Sequence, residues 1–163
     1  MLTDQQQQRV WEGLFYGQVR AAYFGELANR FSMRQQQVSA ATLFLSSGAV
    51  VGYALREVSP YLPHAATIIS LLTAVLSAYN FTAQLTKRSV EAADLHLKWG
   101  QLSNDWQELW DQMYAEDAPD RLVALERKAT EYGKPSLSLP WEPRLMEKWE
   151  NHIRELHHQP AMS

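Results

Sequence analysis

Two long uncharged apolar segments, separated by a short polar stretch, dominate the hydrophobic pattern of the chain. The sequence has no Asp, Glu, Lys or Arg over 35–55, and again none over 58–86. At a rise of about 1.5 Å per residue, a helix over either segment can cross the ~30 Å hydrocarbon layer of a bilayer. The pattern therefore predicts a transmembrane hairpin, with helices over 38–56 and 65–86 joined by an external turn over 57–64.

Basic residues flank the hairpin on one side of the membrane. The flanking basic residues are Arg20, Arg30 and Arg34 before the first span and Lys87, Arg88 and Lys98 after the second, whereas only Arg56 adjoins the turn. Cytoplasmic segments next to membrane spans carry an excess of Lys and Arg, so we expect both termini in the cytoplasm and the turn outside a bacterial inner membrane. The alternative is a soluble bundle with an apolar hairpin in its core. A chain of 163 residues has little other mass with which to bury two such helices.

The segment 1–37 predicts a cytoplasmic amphipathic helix. It begins near Thr3 or Asp4, both good N-cap residues, and nothing in its sequence prevents it from running into the first span. Its apolar and small residues recur at alternating spacings of four and three, which is a heptad pattern. They are Val10, Leu14, Gly17, Ala21, Phe24, Ala28 and Phe31.

The segment 87–163 predicts a cytoplasmic helical region. A heptad pattern continues from the second span without a proline before Pro119, which favours an antiparallel coiled pair with the N-terminal helix. Its residues are Phe81, Leu85, Ala92, Leu95, Trp99, Leu102, Trp106, Leu109 and Met113. Two shorter amphipathic helices follow, with apolar faces at Leu122, Leu125, Ala129 and Tyr132 and at Leu145, Trp149, Ile153 and Leu156. The predicted fold is an all-α membrane protein, a two-helix transmembrane hairpin extended by a cytoplasmic coiled coil or bundle.

Both predicted spans carry small residues at four-residue spacing, which lets helix backbones approach closely in lipid. Gly48 and Gly52 provide this spacing in the first span, and Ala66, Ala74 and Ala78 belong to it in the second. These helix-packing residues either close the hairpin on itself or join separate chains into a homo-oligomer.

Hydroxyl and amide side chains form a stripe along the second span. The candidate pore-lining residues are Thr67, Ser70, Thr73, Ser77 and Asn80, and Gln84 continues the spacing. Such side chains also bond to carbonyl groups of their own helix or a neighbouring helix, so the stripe is either a packing surface or a water-facing wall. Because no charged residue lies on it, strong ion selectivity is not expected.

Composition and motifs point away from nucleic-acid binding and catalysis. The net charge is −3 with no strongly basic face, and there are no cysteines for disulfides or thiolate metal sites. No nucleotide-binding fingerprint, zinc-protease motif or nucleophile elbow occurs. His152, His157 and His158 lie on a polar terminal helix, where solvent exposure is favoured over metal binding. We expect no cofactor, no metal and no enzymatic activity.

The order of elements resembles the SLATT family of two-transmembrane effector domains from bacterial conflict systems. The resemblance rests on an aromatic N-terminal helix containing Ala22-Tyr23-Phe24 and Ala28-Asn29-Arg30-Phe31, two spans, and a long helix opening with Lys87-Arg88-Ser89-Val90-Glu91. It covers roughly 14–114. It implies a membrane-disrupting or pore-forming effector that stays inactive until an antiviral or stress signal arrives. It also implies a signal-generating or sensor partner, such as a source of a nucleotide second messenger.

Two functions follow from these patterns. The first is an effector that oligomerises in the lipid bilayer and forms a pore or disrupts the membrane when triggered. The alternative is a passive two-span anchor or scaffold subunit, which needs only the hairpin and a cytoplasmic contact surface. A two-span phage holin is a third idea, but 87–163 would be a long tail for one.

Overall fold

The described part of the chain is all-helical. The computed structural model describes residues 2–54 and 62–158, with side chains at 2–47 and 67–158. The α-helices within these ranges are α1 (Asp4–Ala54), α2 (Leu62–Ala83), α3 (Leu85–Asp111), α4 (Ala118–Gly133) and α5 (Pro143–His158), with a 3-10 turn at Pro135–Ser138. No described residue belongs to a strand, which confirms the all-α prediction.

Helix α1 begins at a capping box and runs for 51 residues. The Thr3 N–H group donates to Gln6 Oε1 at 2.9 Å, and the Gln6 N–H group donates to Thr3 Oγ1 at 3.4 Å. These two bonds satisfy N–H groups that have no partner inside the helix. As predicted, the helix continues without interruption through residues 37 and 38.

The prediction of an unbroken helical pattern from the second span to Pro119 is wrong at Gln84. This residue has φ 48°, in the left-handed region, and it separates α2 from α3. The sequence contains no glycine or proline there, so it carries no signal for the interruption. At the other end of α2, Leu62 and Pro63 are already helical, and a proline in the first turn costs no intrahelical hydrogen bond.

The chain divides into two compact units. We call residues 1–28 with 90–163 the bundle unit and residues 29–89 the hairpin unit. In the bundle unit, α1 and α3 run antiparallel, since contacts join Trp11 to Trp110 and Arg20 to Trp99. Most of the predicted heptad residues of this unit are buried: Val10, Leu14, Gly17, Phe24, Ala92, Leu95, Trp99, Leu102, Trp106 and Leu109.

The last two helices complete the core of the bundle unit. Leu122 and Leu125 of α4 and Leu145 and Ile153 of α5 are buried, as their spacing predicts. The prediction is wrong at Leu156, which is exposed, and it omits Met146, which is buried. Exposed ion pairs join α4 to its neighbours, at Arg9 with Glu126, Arg121 with Glu108 and Lys128 with Asp105. Each such pair contributes at most about 1 kcal/mol, so apolar burial is the main source of stability.

Within the hairpin unit, Phe31 and Leu85 are buried. Phe81, predicted to belong to the same heptad face as Leu85, is 86% exposed. The interruption at Gln84 changes the helical phase between these two residues, which explains the difference. The unit also exposes large apolar side chains on both of its helices: Leu43, Phe44, Ile68, Leu71, Leu72, Val75 and Tyr79.

Candidate functional site

The apolar surface of the hairpin unit includes a helical stretch suited to a membrane. Among the described residues, the one candidate span lies within Thr67–Asp111, which contains an 18-residue window long and apolar enough to cross a bilayer, by length and composition. Only 6% of its apolar window is buried within the chain. A core helix of a soluble protein would be mostly buried. One candidate span is thus present, and the second stays a prediction.

The predicted stripe on α2 does not lie in a single environment. Thr67, Ser70 and Ser77 are exposed, whereas Thr73 and Asn80 are partly buried. The Thr73 hydroxyl group donates to the Ile69 carbonyl oxygen at 2.9 Å, so it is satisfied within its own helix. Such bonds allow a hydroxyl group to reside in lipid without water. A pore-lining role for these residues stays a prediction.

A groove of ≈ 780 Å³ lies in the hairpin unit between α1 and the α2–α3 segment. It brings together Ser77, Asn80 and Gln84 of the stripe with Ser39 and Thr42 of α1. Sequence reasoning omits these two α1 residues. The spacing Ser39, Thr42, Ser46 is a signal that could have identified them, since it places hydroxyl groups on one helix face.

Of the predicted helix-packing residues, the structure describes the side chains of Ala74 and Ala78. Ala74 and Ala78 are exposed, so in one chain they do not close the hairpin on itself. Gly48 and Gly52 lie in α1, and Ala66 lies in α2. All three positions are outside the ranges in which side chains are described. Contact between separate chains through these residues stays a prediction.

A second cavity, which we call the arginine pocket, lies wholly inside the bundle unit. Its volume is ≈ 370 Å³. Helix α1 forms one wall with residues spaced three and four apart, and the segment 136–141 and α5 form the other. The lining residues are Tyr16, Val19, Arg20, Tyr23, Phe24, Ser136, Leu137, Leu139, Pro140, Trp141, Met146 and Glu150.

Hydrogen bonds from α1 hold the opposite wall of the arginine pocket in place. The Tyr23 hydroxyl group donates to the Pro140 carbonyl oxygen at 3.3 Å and accepts from the Glu142 N–H group at 3.1 Å. Tyr23 is itself fully buried. Both bonds connect α1 to the segment that precedes α5, so they set the width of the cavity.

Glu26 holds α5 against α1. Its Oε2 atom accepts hydrogen bonds from Lys148 Nζ at 2.6 Å and from Trp149 Nε1 at 2.9 Å. Met146 and Glu150 lie within one turn of these donors on α5. Glu26 therefore positions the part of α5 that lines the arginine pocket.

Arg20 is the cationic residue among those that line the arginine pocket, and it also lines a second cavity together with Trp99, Glu12 and Glu126. Its guanidinium carbon lies 4.5 Å from the centre of the Trp99 ring, a cation–π contact. Burial lowers the pKa of Arg20, and the electrostatic effect of the nearby Tyr16 acts in the opposite direction. Arg20 forms no ion pair with Glu150, although both side chains line the same cavity.

Only part of the arginine pocket has a signal in the sequence. Tyr16, Arg20 and Tyr23 share a helix face by spacing, but the segment after Pro119 carries no motif that suggests a site. Finding the pocket requires knowing that residues 136–150 return to α1, which no local pattern specifies.

Two of the C-terminal histidines contact neighbouring polar or aromatic side chains. His157 Nε2 is 2.7 Å from Gln18 Oε1, and its ring lies edge-on to Trp11. His152 lies edge-on to Trp149. Within 2–54 and 62–158, no group of three or more His, Asp or Glu side chains has the arrangement of a metal site.

Comparison of the chain with models of protein families, with curated proteins and with solved structures gives no match. The resemblance to SLATT effectors accordingly stays a prediction.

Proposed function

We propose that the protein is a membrane effector that oligomerises in the bacterial inner membrane and, when triggered, forms a pore or disrupts the bilayer. The observation that carries this proposal is the exposed apolar surface of α2. Large side chains such as Ile68, Leu71 and Val75 face away from the rest of the chain. A contiguous surface of this kind indicates contact with lipid or with other protein chains.

Two further features support assembly in the membrane. The exposed Ala74 and Ala78 offer a close-contact surface to a neighbouring helix. The exposed hydroxyl groups of Ser70 and Ser77 lie on the stripe that would face water in an oligomer. The proposed activity involves no catalysis and no cofactor, and an antiviral role rests on the resemblance to SLATT effectors.

The alternative function is a passive two-span anchor or scaffold subunit. The same exposed apolar surface supports it, and the bundle unit would supply the contact surface for a partner. This alternative makes no use of the stripe on α2. It therefore differs from the effector in what happens to the membrane when the protein is present.

Induced expression of the full chain in a bacterium distinguishes these functions. The effector should fractionate with the inner membrane and depolarise it, as measured with a potential-sensitive dye. An anchor should fractionate with the membrane and leave the potential unchanged. Recovery in the soluble fraction would contradict both proposals.

Reporter fusions test the proposed topology in the same cells. Fusions at Met1 and Ser163 should report the cytoplasm, and a fusion at Pro60 should report the periplasm, because the six flanking basic residues favour that orientation. A cytoplasmic signal at Pro60 would contradict the two-span hairpin.

A further inference from the structure

The arginine pocket has the size and lining of a small-molecule site. Its volume of ≈ 370 Å³ lies at the lower end of the ~300–1,000 Å³ range of ligand clefts. Its lining residues include buried apolar side chains such as Val19 and Phe24. Such a volume suits a compound of one aromatic ring system with a few polar groups.

Two of the aromatic side chains that line this pocket are exposed. Trp141 is 65% exposed, and its ring centre lies 5.7 Å from that of the buried Tyr23. Tyr16, on the α1 side, is exposed as well. Exposed aromatic side chains that line a cavity lose their unfavourable contact with water when a flat apolar ligand packs against them.

The charged groups of the pocket add a specific requirement. Arg20 has no hydrogen bond or ion pair with any described side chain or carbonyl group, and its contact is with the Trp99 ring. A half-buried guanidinium group that pairs with no anion has lost part of its hydration and has gained no hydrogen bonds in exchange. Its N–H groups form a planar fork that matches a carboxylate or phosphate group.

We propose that the arginine pocket binds a small aromatic anion, whose ring packs between Tyr16 and Trp141 and whose anionic group pairs with Arg20. Glu150, the carboxylate in the same cavity, accepts a hydrogen bond from an N–H or O–H group of the ligand. The ligand chemistry is thus an aromatic ring, one anion and one donor. Nucleoside monophosphates and aromatic amino acids both meet this description.

This binding site stands independently of the proposed membrane activity, since it lies within the bundle unit alone. Binding is measured on the purified full chain in lipid nanodiscs by isothermal titration calorimetry, with empty nanodiscs as the blank. The probes are adenosine 5′-monophosphate with adenosine as its uncharged counterpart, and L-tryptophan with tryptamine, which lacks the carboxylate.

At least one anionic probe should bind about tenfold more tightly than its counterpart, the effect of one charge-assisted hydrogen-bonded pair. Preference in the adenosine pair alone identifies a nucleotide ligand, and preference in the tryptophan pair alone identifies an aromatic amino acid. Equal affinity within both pairs, or no binding of any probe, overturns the proposal.

Arg20→Gln should remove the preference for the probe that carries the anionic group, and it should leave the affinity of adenosine, the uncharged probe, unchanged. Arg127→Gln is the matched control, because Arg127 is exposed on α4 and does not line the pocket. If Arg20→Gln does not fold, Trp141→Ala is the second variant. Its side chain is mostly in water, and it should weaken all probes that bind. Unchanged anion preference in Arg20→Gln, or unchanged affinity in Trp141→Ala, overturns the proposal.

Discussion

Gly13 of α1 lies directly against the indole ring of Trp106 of α3. A Cβ atom on residue 13 would stand 2.6 Å from Trp106 Cε2, closer than two carbon atoms can approach. The same two helices meet again at Gly17, where a Cβ atom would lie 3.3 Å from the backbone of Ser103. Glycine at these positions lets the helices of the bundle unit approach closely around the tryptophan.

Gly13→Ala should therefore destabilise the bundle unit. The added methyl group forces Trp106 to move within a packed core, at a cost of about 1–3 kcal/mol. The greater helix propensity of alanine, about 0.5–1 kcal/mol, offsets only part of this cost. Urea unfolding of the purified full chain, followed by tryptophan fluorescence, measures the change.

Gly100→Ala is the control for this substitution. Gly100 also lies within a helix, but a Cβ atom on residue 100 would meet no neighbouring side chain or second helix within 4 Å. Here alanine should stabilise the protein by about 0.5–1 kcal/mol, through propensity alone. Equal effects of the two variants would show that α1 and α3 do not meet at Gly13.

Glu26→Ala should loosen α5 from α1. The substitution removes the acceptor of both the Lys148 and the Trp149 hydrogen bonds. Hydrogen bonds to a charged group contribute about 1.5–3 kcal/mol, and the Trp149 bond is partly buried. Lys148→Ala is the control, since this side chain is 57% exposed and its ion pair contributes at most about 1 kcal/mol. A smaller loss of unfolding free energy in Glu26→Ala than in Lys148→Ala would contradict this assignment.

Tyr23→Phe should make the segment that precedes α5, one wall of the arginine pocket, more mobile, while the packing of the core is preserved. The variant keeps the buried ring and loses the hydroxyl group that bonds Pro140 and Glu142, at a cost of about 1 kcal/mol for each bond. Amide hydrogen exchange should become faster at Glu142 and at the residues beside it. Tyr132→Phe is the control, because the Tyr132 contact with Trp99 is made by the ring. Unchanged exchange at Glu142 would show that Tyr23 does not hold this segment.

These contacts explain how much of the bundle unit can be predicted from the sequence. Apolar periodicity reports burial directly, so it correctly predicts Leu95, Trp99 and Leu102 in the core. The wall of the arginine pocket depends on Tyr23 meeting Glu142 far along the chain. Such a contact leaves no local pattern, and the segment 136–141 reads only as a loop.

The hairpin unit shows a different limit of sequence reasoning. A heptad pattern assumes one continuous helix, and the left-handed residue Gln84 breaks that assumption. Phe81 therefore does not share the face of Leu85, although their spacing of four predicts it. Spacing predicts the polar stripe in the same way, but its members differ in exposure. Ser77 is exposed, whereas Thr73 is partly buried. Spacing identifies which residues share a helix face. Which part of the chain, lipid or water contacts that face depends on the tertiary structure, which spacing does not specify.

The double substitution Ser70→Leu with Ser77→Leu tests whether the stripe on α2 faces water in an active assembly. Both side chains are exposed in the hairpin unit, so leucine meets no steric barrier within one chain. Leucine also favours membrane insertion, and the variant should reach the membrane at least as well as the parent. If the stripe lines a pore, two leucines close its wall to water, and depolarisation of expressing cells should be abolished.

Thr82→Leu is the matched control for the double substitution. Thr82 is exposed on α2 and lies off the stripe, and its hydroxyl group already donates to the Ala78 carbonyl oxygen at 2.8 Å. This variant should depolarise cells as the parent does. Equal depolarisation by the double variant and the parent, at equal amounts in the membrane fraction, would show that Ser70 and Ser77 form a packing surface. The exposed apolar residues of α2 would still indicate contact with a membrane. The result would therefore favour the anchor function over the effector function.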